Sequence, residues 1–227
     1  YNWKIGKKLQ VSFAVVAVLA AIVGYVGYSG INSIWDAQIE MYNQRLIPIK
    51  DLGFANTAFF STRVSARMLL TANTFEERQK LVSSINRETI QIDSLIAKYE
   101  KTNLNDDQKE NLRKFKSYWS KYLEYRNSGM NYILQGKIQE AEVAWGGELL
   151  TLQAGVRQTL SDMIDINDKI SEQLNVQTHE QATSSTRYLI MIILAAFAFS
   201  IFIGVFLAKI ISKPINILAD ISAKMAK

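Results

Sequence analysis

The sequence predicts an all-α protein: an antiparallel up-down-up-down four-helix bundle whose first and last helices are continuous with two transmembrane helices. Three observations carry that expectation. Two uncharged apolar runs, Leu9–Tyr28 and Tyr188–Ala208, bracket the chain. Each is about 20 residues, the length a helix needs to cross a bilayer core. Between them apolar residues recur at three- and four-residue spacing, and turn-forming segments rather than strand signals separate the repeats.

In order, residues 1–8 are a basic N-terminus and 9–30 the first span. A cleaved signal peptide would need a shorter apolar run and an A-x-A-like site; neither is present, so a retained span is expected. Residues 31–187 form the bundle. Its first helix, about Ile31 to Leu70, carries Ile31, Ile34, Met41, Leu52, Ala55, Phe59, Ala66 and Leu69, with a kink expected at Pro48. Thr71-Ala72-Asn73-Thr74 turns the chain, and Thr74 with Glu77 makes a capping box. The second helix, about Phe75 to Lys101, carries Leu81, Ile85, Ile92, Leu95, Ile96 and Tyr99. After Asn103-Leu104-Asn105-Asp106, with Asn105 or Asp106 as cap, the third helix sets Leu112, Phe115, Trp119, Tyr122, Arg126, Gly129 and Ile133 on one stripe.

Gln135-Gly136 breaks the third helix, and a short helical piece with Ala141, Ala144 and Trp145 leads to Gly146-Gly147. The fourth helix starts near Glu148, with Leu149, Leu152, Val156, Leu160, Met163, Ile166, Ile170 and Leu174 on its apolar face. It runs into the second span, 188–208. Short turns between successive helices make them antiparallel neighbours. The outer helices have about 40 residues each and the middle two about 30. At ~1.5 Å per residue such a bundle stands roughly 60 Å off the bilayer.

Charge orients the chain. Of 26 Lys and Arg, seven (Lys4, Lys7, Lys8, Lys209, Lys213, Lys224, Lys227) lie in the flanks, against the single acid Asp220. The segment between the spans is nearly neutral, so the formal +5 comes from the flanks. The positive-inside rule places both termini in the cytoplasm and 31–187 outside, in a bacterial inner membrane, with the flanking bases against lipid headgroups. Trp3, Tyr25 and Tyr28 fit the interfacial aromatic belt. The basic pI is thus explained by topology, and nucleic acid is not expected as a partner. The chain opens on Tyr and stops shortly after a helix begins, which reads as a piece of a longer protein.

No catalytic constellation is legible, so an enzyme is not expected. The absence of Cys removes disulfides, thiolate metal sites and cysteine nucleophiles. The lone His179 lies in a polar stretch and makes neither a triad nor a metal cluster. The Gly146-Gly147 and Gly24…Gly27 pairs have no preceding strand and no following Lys-Ser/Thr, so they are not phosphate loops. No cofactor and no metal are expected. Gly129 and Gly136 read as a close-packing position and a helix end; Trp119, Tyr122, Tyr132 and Trp145 read as core.

A ligand site is a sharper question, and bundle geometry narrows it. Arg63 lies 35 residues past Tyr28, and Gln153 lies 35 before Tyr188. The membrane-distal ends of the first and fourth helices therefore meet around Arg63, Arg67, Thr71, Thr151, Gln153 and Arg157, with Arg126 near that level. Guanidinium groups take carboxylates through paired hydrogen bonds. The competing reading pairs each arginine with an acid on an adjacent helix or extends it to solvent with its stem packed.

The basic Lys4-Ile5-Gly6-Lys7-Lys8-Leu9 start, the Arg63…Arg67-Met68-Leu69-Leu70-Thr71-Ala72 turn and the Lys209-Ile210-Ile211-Ser212-Lys213-Pro214-Ile215 exit resemble the sensor end of bacterial methyl-accepting chemotaxis proteins. Residues 209–227, with Ile215, Leu218, Ile221 and Met225 as the apolar positions, look like the start of a HAMP linker. The resemblance implies a homodimeric transducer whose bundle binds a small solute, an amino acid or organic acid, and signals to a chemotaxis kinase and adaptor. It implies an anion site at the dimer interface, carried over onto Arg63, Arg67 and Thr151, and a coupling role for Pro214. Sensor histidine kinases and diguanylate cyclases share this front end, so those remain alternatives. A bundle that senses a partner protein or membrane state without a ligand is a third.

Overall fold

The computed structural model describes residues 4–225; the side chains of 214–224, Pro214 among them, lie outside the described residues, as do Trp3 and Lys227. The helices are α1 (Ile5–Met41), a π-helical segment Tyr42–Leu46, α2 (Ile47–Leu69), α3 (Phe75–Glu100), α4 (Asp106–Leu134), the short α5 (Ile138–Ala144) and α6 (Glu148–Met225). Packing divides the chain into two units. One is Gln38–Asn175; the other joins Tyr1–Ala37 to Val176–Lys227.

The second unit is a helix pair in which both members are long and apolar enough to cross a membrane, and none of their apolar windows is buried. The backbones come together at small residues. A Cβ built on Gly27 would touch the Leu189 side chain at 3.9 Å, and one on Gly30 would meet Ser185 Cβ at 3.7 Å. α6 stays helical through Lys213-Pro214.

In the bundle unit, α2, α3, α4 and the first part of α6 share one core. Leu52, Ala55 and Phe59 face Ile92, Leu95, Ile96 and Tyr99, with Leu112, Phe115, Trp119 and Tyr122 opposite Leu149, Leu152, Val156, Leu160 and Met163. All seven stripe positions anticipated on α4 are buried, Arg126 and Gly129 included. Four aromatic rings fill the centre. Phe59 meets Tyr122 edge-on at 5.2 Å and Trp119 at 6.0 Å, while Trp119 stacks on Tyr122 at 5.5 Å and on Phe115 at 6.0 Å. Each such pair contributes ~0.5–1.5 kcal/mol beyond its buried area. A smaller cluster of Ala66, Leu69, Ile85, Met130, Ile133 and Ala141 closes the end where α2 meets α3.

Caps formed as their sequences dictate. The Thr74 hydroxyl accepts from the Glu77 N–H while the Glu77 carboxylate accepts from Thr74 and Asn73. Asn105 and Gln108 make a second reciprocal box at the start of α4. Gly136, at φ +79°, ends α4 in the left-handed conformation that glycine alone adopts cheaply.

One expectation is sharpened and one corrected. The first bundle helix passes through the π-helical segment just before Pro48. Pro48 has no N–H to offer the Gln44 carbonyl, and the ladder widens just before it: the Ile47 N–H reaches Tyr42 O, five residues back. Arg45 Nη1 then donates to that Gln44 carbonyl at 3.2 Å. On α6 the buried stripe runs Leu149, Leu152, Val156, Leu160, Met163 and then Asn167, so Ile166 and Ile170, expected inside, are only half-buried.

The same guanidinium donates to Asn103 O at 3.3 Å, and the Asn103 N–H donates to Gln44 Oε1 at 2.8 Å, tying the π segment to the α3–α4 turn. Arg78 does the equivalent at the other end. Its Nε donates to Ala72 O at 3.1 Å and its Nη1 to Ile133 O at 3.5 Å, joining the α2–α3 turn to the end of α4. Between α3, α4 and α6 lies an enclosed polar chain: Gln108 Nε2 donates to Asn167 Oδ1 at 2.9 Å, and Asn167 Nδ2 donates to Tyr99 Oη at 3.0 Å and Met163 O at 2.7 Å.

Candidate functional site

One layer of the bundle draws a polar side chain from each long helix. Arg63 of α2 donates through Nε to Gln153 Oε1 of α6 at 3.0 Å. Arg126 of α4 donates through Nη1 to Thr89 Oγ1 of α3 at 2.8 Å. The Thr89 hydroxyl spends its own proton on Ile85 O at 2.7 Å, which leaves a lone pair for the guanidinium. The two arginines flank the aromatic centre. Arg63 lies over the Phe59 ring at 5.8 Å and Arg126 over the Tyr122 ring at 5.7 Å.

Arg126 is 2% exposed. An unbalanced interior charge is costly, so its surroundings matter. Its Nε and Nη2 both donate to Asn127 Oδ1, at 3.2 and 2.9 Å, and a stacked indole closes the far side: Trp145 Nε1 donates to the Arg126 carbonyl at 3.1 Å. Gly129 makes room for that indole, since a Cβ there would fall 2.0 Å from Trp145 Nε1. Asp93 influences the guanidinium only at longer range, because its carboxylate accepts from Trp119 Nε1 at 2.7 Å. Burial holds Arg126 below the usual guanidinium range. Burial also pushes the Tyr122 phenol up to about 12, against the pull of the Arg126 and Arg63 cations. The Tyr122 hydroxyl is enclosed beside the guanidinium without a well-formed hydrogen bond.

The structure brings Arg63 and Gln153 together and sets Arg126 inside, joined to them through Phe59 and Tyr122. Arg67, Thr71, Thr151 and Arg157 are exposed. The Thr71 and Thr151 hydroxyls donate to backbone carbonyls of their own helical turns, Met68 O at 3.1 Å and Gly147 O at 3.4 Å. Among the described residues none of Arg63, Arg67, Arg126 or Arg157 has a carboxylate within 4.0 Å, unlike Arg45, Arg87 and Arg113. Of the competing reading, the pairing with acids is not seen for these four, while Arg67 and Arg157 extend to solvent as its other branch has it. Pro214 falls outside the described side chains. No group of three or more potential metal-ligating side chains occurs among the described residues, and His179 is exposed.

Sequence reasoning missed Arg45, Gln108 and Asn167. Arg45 is 7% exposed, three residues before Pro48, and that spacing is the signal that could have found it. Asn167 could have been found from the α6 stripe continued four residues past Met163, and Gln108 from the α4 stripe continued four residues before Leu112.

The profile of a family described as "Four helix bundle sensory module for signal transduction" matches residues 2–182. A "Putative sensory transducer protein" of Acetivibrio thermocellus is 21% identical over 151 residues, or 66% of this chain. The matched stretch is 27% of that protein, so the chain spans about a quarter of the length of the relative it matches.

Proposed function

This chain belongs to the family of four-helix-bundle sensory modules for signal transduction, and on that premise we propose that it is the input end of a two-span chemoreceptor whose bundle, outside the cytoplasmic membrane, binds a small carboxylate-bearing solute. The observation that carries the ligand class is the set of guanidinium groups left without acids. Arg63, Arg67, Arg126 and Arg157 lie on three helices, and their recorded partners are neutral oxygens rather than protein carboxylates. Burying or half-burying cations without counter-ions disfavours the empty fold and favours any ligand that supplies the charge.

A homodimer fits the outer face of α2. Phe60, Val64 and Met68 are exposed on one stripe, and Arg67 stands beside them, where a second copy would complete a site. The signal is a small displacement of α6, whose unbroken helix from Glu148 to Met225 supports transmission along its axis, with Pro214 as the coupling position toward a cytoplasmic output. Differential affinity of about 1–3 kcal/mol between two arrangements suffices for such coupling. The module is a receptor rather than an enzyme; its output partners are those of the protein it belongs to.

The test is thermal unfolding of the chain in detergent micelles against a panel of amino acids and di- and tricarboxylates. A ligand at 100 times its Kd stabilises the fold by about 2.7 kcal/mol. A stabilising carboxylate whose effect disappears in Arg63→Ala or Arg67→Ala supports the reading. A folded protein that no carboxylate stabilises refutes it.

A further inference from the structure

We propose that the Nε/Nη2 edge of Arg126 is the anchor for the ligand's carboxylate, that the Tyr122 hydroxyl is its second donor, and that Asn127 is a displaceable gate occupying the anchor in the empty state. The proposal rests on the reading of the bundle as a solute sensor and specifies which guanidinium takes the anion.

Three observations converge. The Nε and Nη2 hydrogens of a guanidinium point in parallel and match the two oxygens of a carboxylate. Here both converge on a single neutral oxygen, Asn127 Oδ1, at 3.2 and 2.9 Å. One amide oxygen satisfies that edge poorly, and it carries no charge to balance a cation that is 2% exposed. Next to it the enclosed Tyr122 hydroxyl has the guanidinium beside it but no well-formed hydrogen bond, so its own proton lacks an acceptor. Every side chain that touches the guanidinium, Thr89 and Asn127 as acceptors and Tyr122 through its ring, is neutral. The locus is therefore rich in donors and short of one anionic acceptor.

Asn127 is the next residue on α4 and is itself exposed, so its side chain can swing into solvent without unpacking the core. That movement frees the paired donors. A carboxylate arriving there replaces one neutral acceptor by two charged ones and brings the charge that Arg126 lacks. Thr89 holds the opposite corner through Nη1 throughout, so the guanidinium keeps its orientation while the ligand exchanges with Asn127. The occupied anchor reaches α6 through Tyr122, Phe59 and Arg63, which ends on Gln153.

The experiment measures thermal unfolding of the chain in detergent micelles with sodium acetate, succinate or aspartate, each against sodium chloride at equal ionic strength. In wild type a carboxylate raises the unfolding temperature saturably and chloride does not. Asn127→Asp supplies an internal carboxylate to the same edge; it unfolds at a higher temperature without added ligand and no longer responds to carboxylates. Asn127→Ala removes the gate and tightens carboxylate binding several-fold. Tyr122→Phe is neutral or slightly stabilising in chloride, because it removes an unsatisfied hydroxyl, and weakens carboxylate binding about tenfold. Arg113→Gln, an exposed arginine paired with Glu110, leaves the response unchanged.

A carboxylate response that survives intact in both Asn127→Asp and Tyr122→Phe overturns the anchor and leaves the sensor reading standing on the exposed arginines. An equal response to chloride overturns the carboxylate assignment. No response in folded wild type overturns both readings.

Discussion

Gln108 of α4 donates through Nε2 to Asn167 Oδ1 of α6 at 2.9 Å, with both side chains fully enclosed. Asn167 returns the bond economy through its amide nitrogen to Tyr99 of α3 and to Met163 of its own helix. A buried polar side chain whose partners lie on two other helices admits one axial position of α6, because a slide in either direction leaves enclosed groups unpaired.

Asn167→Leu should therefore cost about 3 kcal/mol, since it strands the Gln108 amide and the Tyr99 hydroxyl at ~1–3 kcal/mol each. In the double variant Gln108→Leu/Asn167→Leu the penalty should be clearly smaller than the sum of the singles. Thermal or denaturant unfolding followed by circular dichroism reads this directly. Strictly additive penalties would remove the network from the account of α6.

At the π segment, Arg45 serves a carbonyl that Pro48 cannot. Arg45→Ala should destabilise the bundle by about 2 kcal/mol through the loss of its bonds to Gln44 O and Asn103 O. Pro48→Ala supplies an N–H at the missing position, so adding it to Arg45→Ala should recover part of that loss. A double variant no more stable than Arg45→Ala alone would show that the proline has no part in it.

Two glycines pack against aromatic rings, with unequal consequences. Gly129→Ala drives a methyl to within 2.0 Å of Trp145 Nε1, a ring pinned by its bond to the Arg126 carbonyl. Overpacking of this kind costs ~1–3 kcal/mol and should shift tryptophan fluorescence. Gly155→Ala meets Tyr118 at 2.5 Å, but Tyr118 is 38% exposed and can turn outward. Its cost should be the lesser of the two; the reverse order in unfolding temperature would contradict this packing.

Alkaline pH should weaken the fold through Tyr122. Its phenol titrates near 10 when unfolded and at about 12 in the bundle, so the folded state retains the proton longer. The stabilisation is complete below pH ~10 and is lost as pH rises toward 12, amounting to at most about 3 kcal/mol. Burial raises Tyr99 in the same direction. Tyr122→Phe should flatten the decline of unfolding free energy between pH ~10 and ~12; an unchanged slope would assign the alkaline loss elsewhere.

Helices, caps and the α4 stripe were legible because each is a local property: spacing, a capping box, a glycine at a helix end. The Arg63–Gln153 pairing was legible for a different reason. Equal distances from the two apolar runs put them at equal height in a bundle of antiparallel helices, and Arg63 Nε meets Gln153 Oε1 at 3.0 Å. What escaped depends on partners far apart in sequence. Arg45 is explained by a proline three residues on and by a turn 58 residues away. Asn167 stands on the register of the α6 stripe, but its inter-helix partners Gln108 and Tyr99 are 59 and 68 residues distant. Arg126 was legible as a seam charge, but not its pairing with neutral acceptors, because the acceptor Thr89 lies on another helix.

The guanidinium closures at the two ends have a consequence for acid tolerance. Arg45 and Arg78 bind backbone carbonyls, which do not titrate, and arginine keeps its charge far above neutrality. Among the described residues, the enclosed polar groups are Arg45, Thr62, Gln108, Asn111, Arg126, Thr159 and Asn167, with no Asp, Glu, Lys or His in the set. Acidification from pH 8 to 5 thus changes no fully buried charge among these residues, and the Glu77 carboxylate of the capping box, held below the usual range by the Thr74 and Asn73 amides, resists protonation as well. Such an interior keeps its charge state while the medium around it sours.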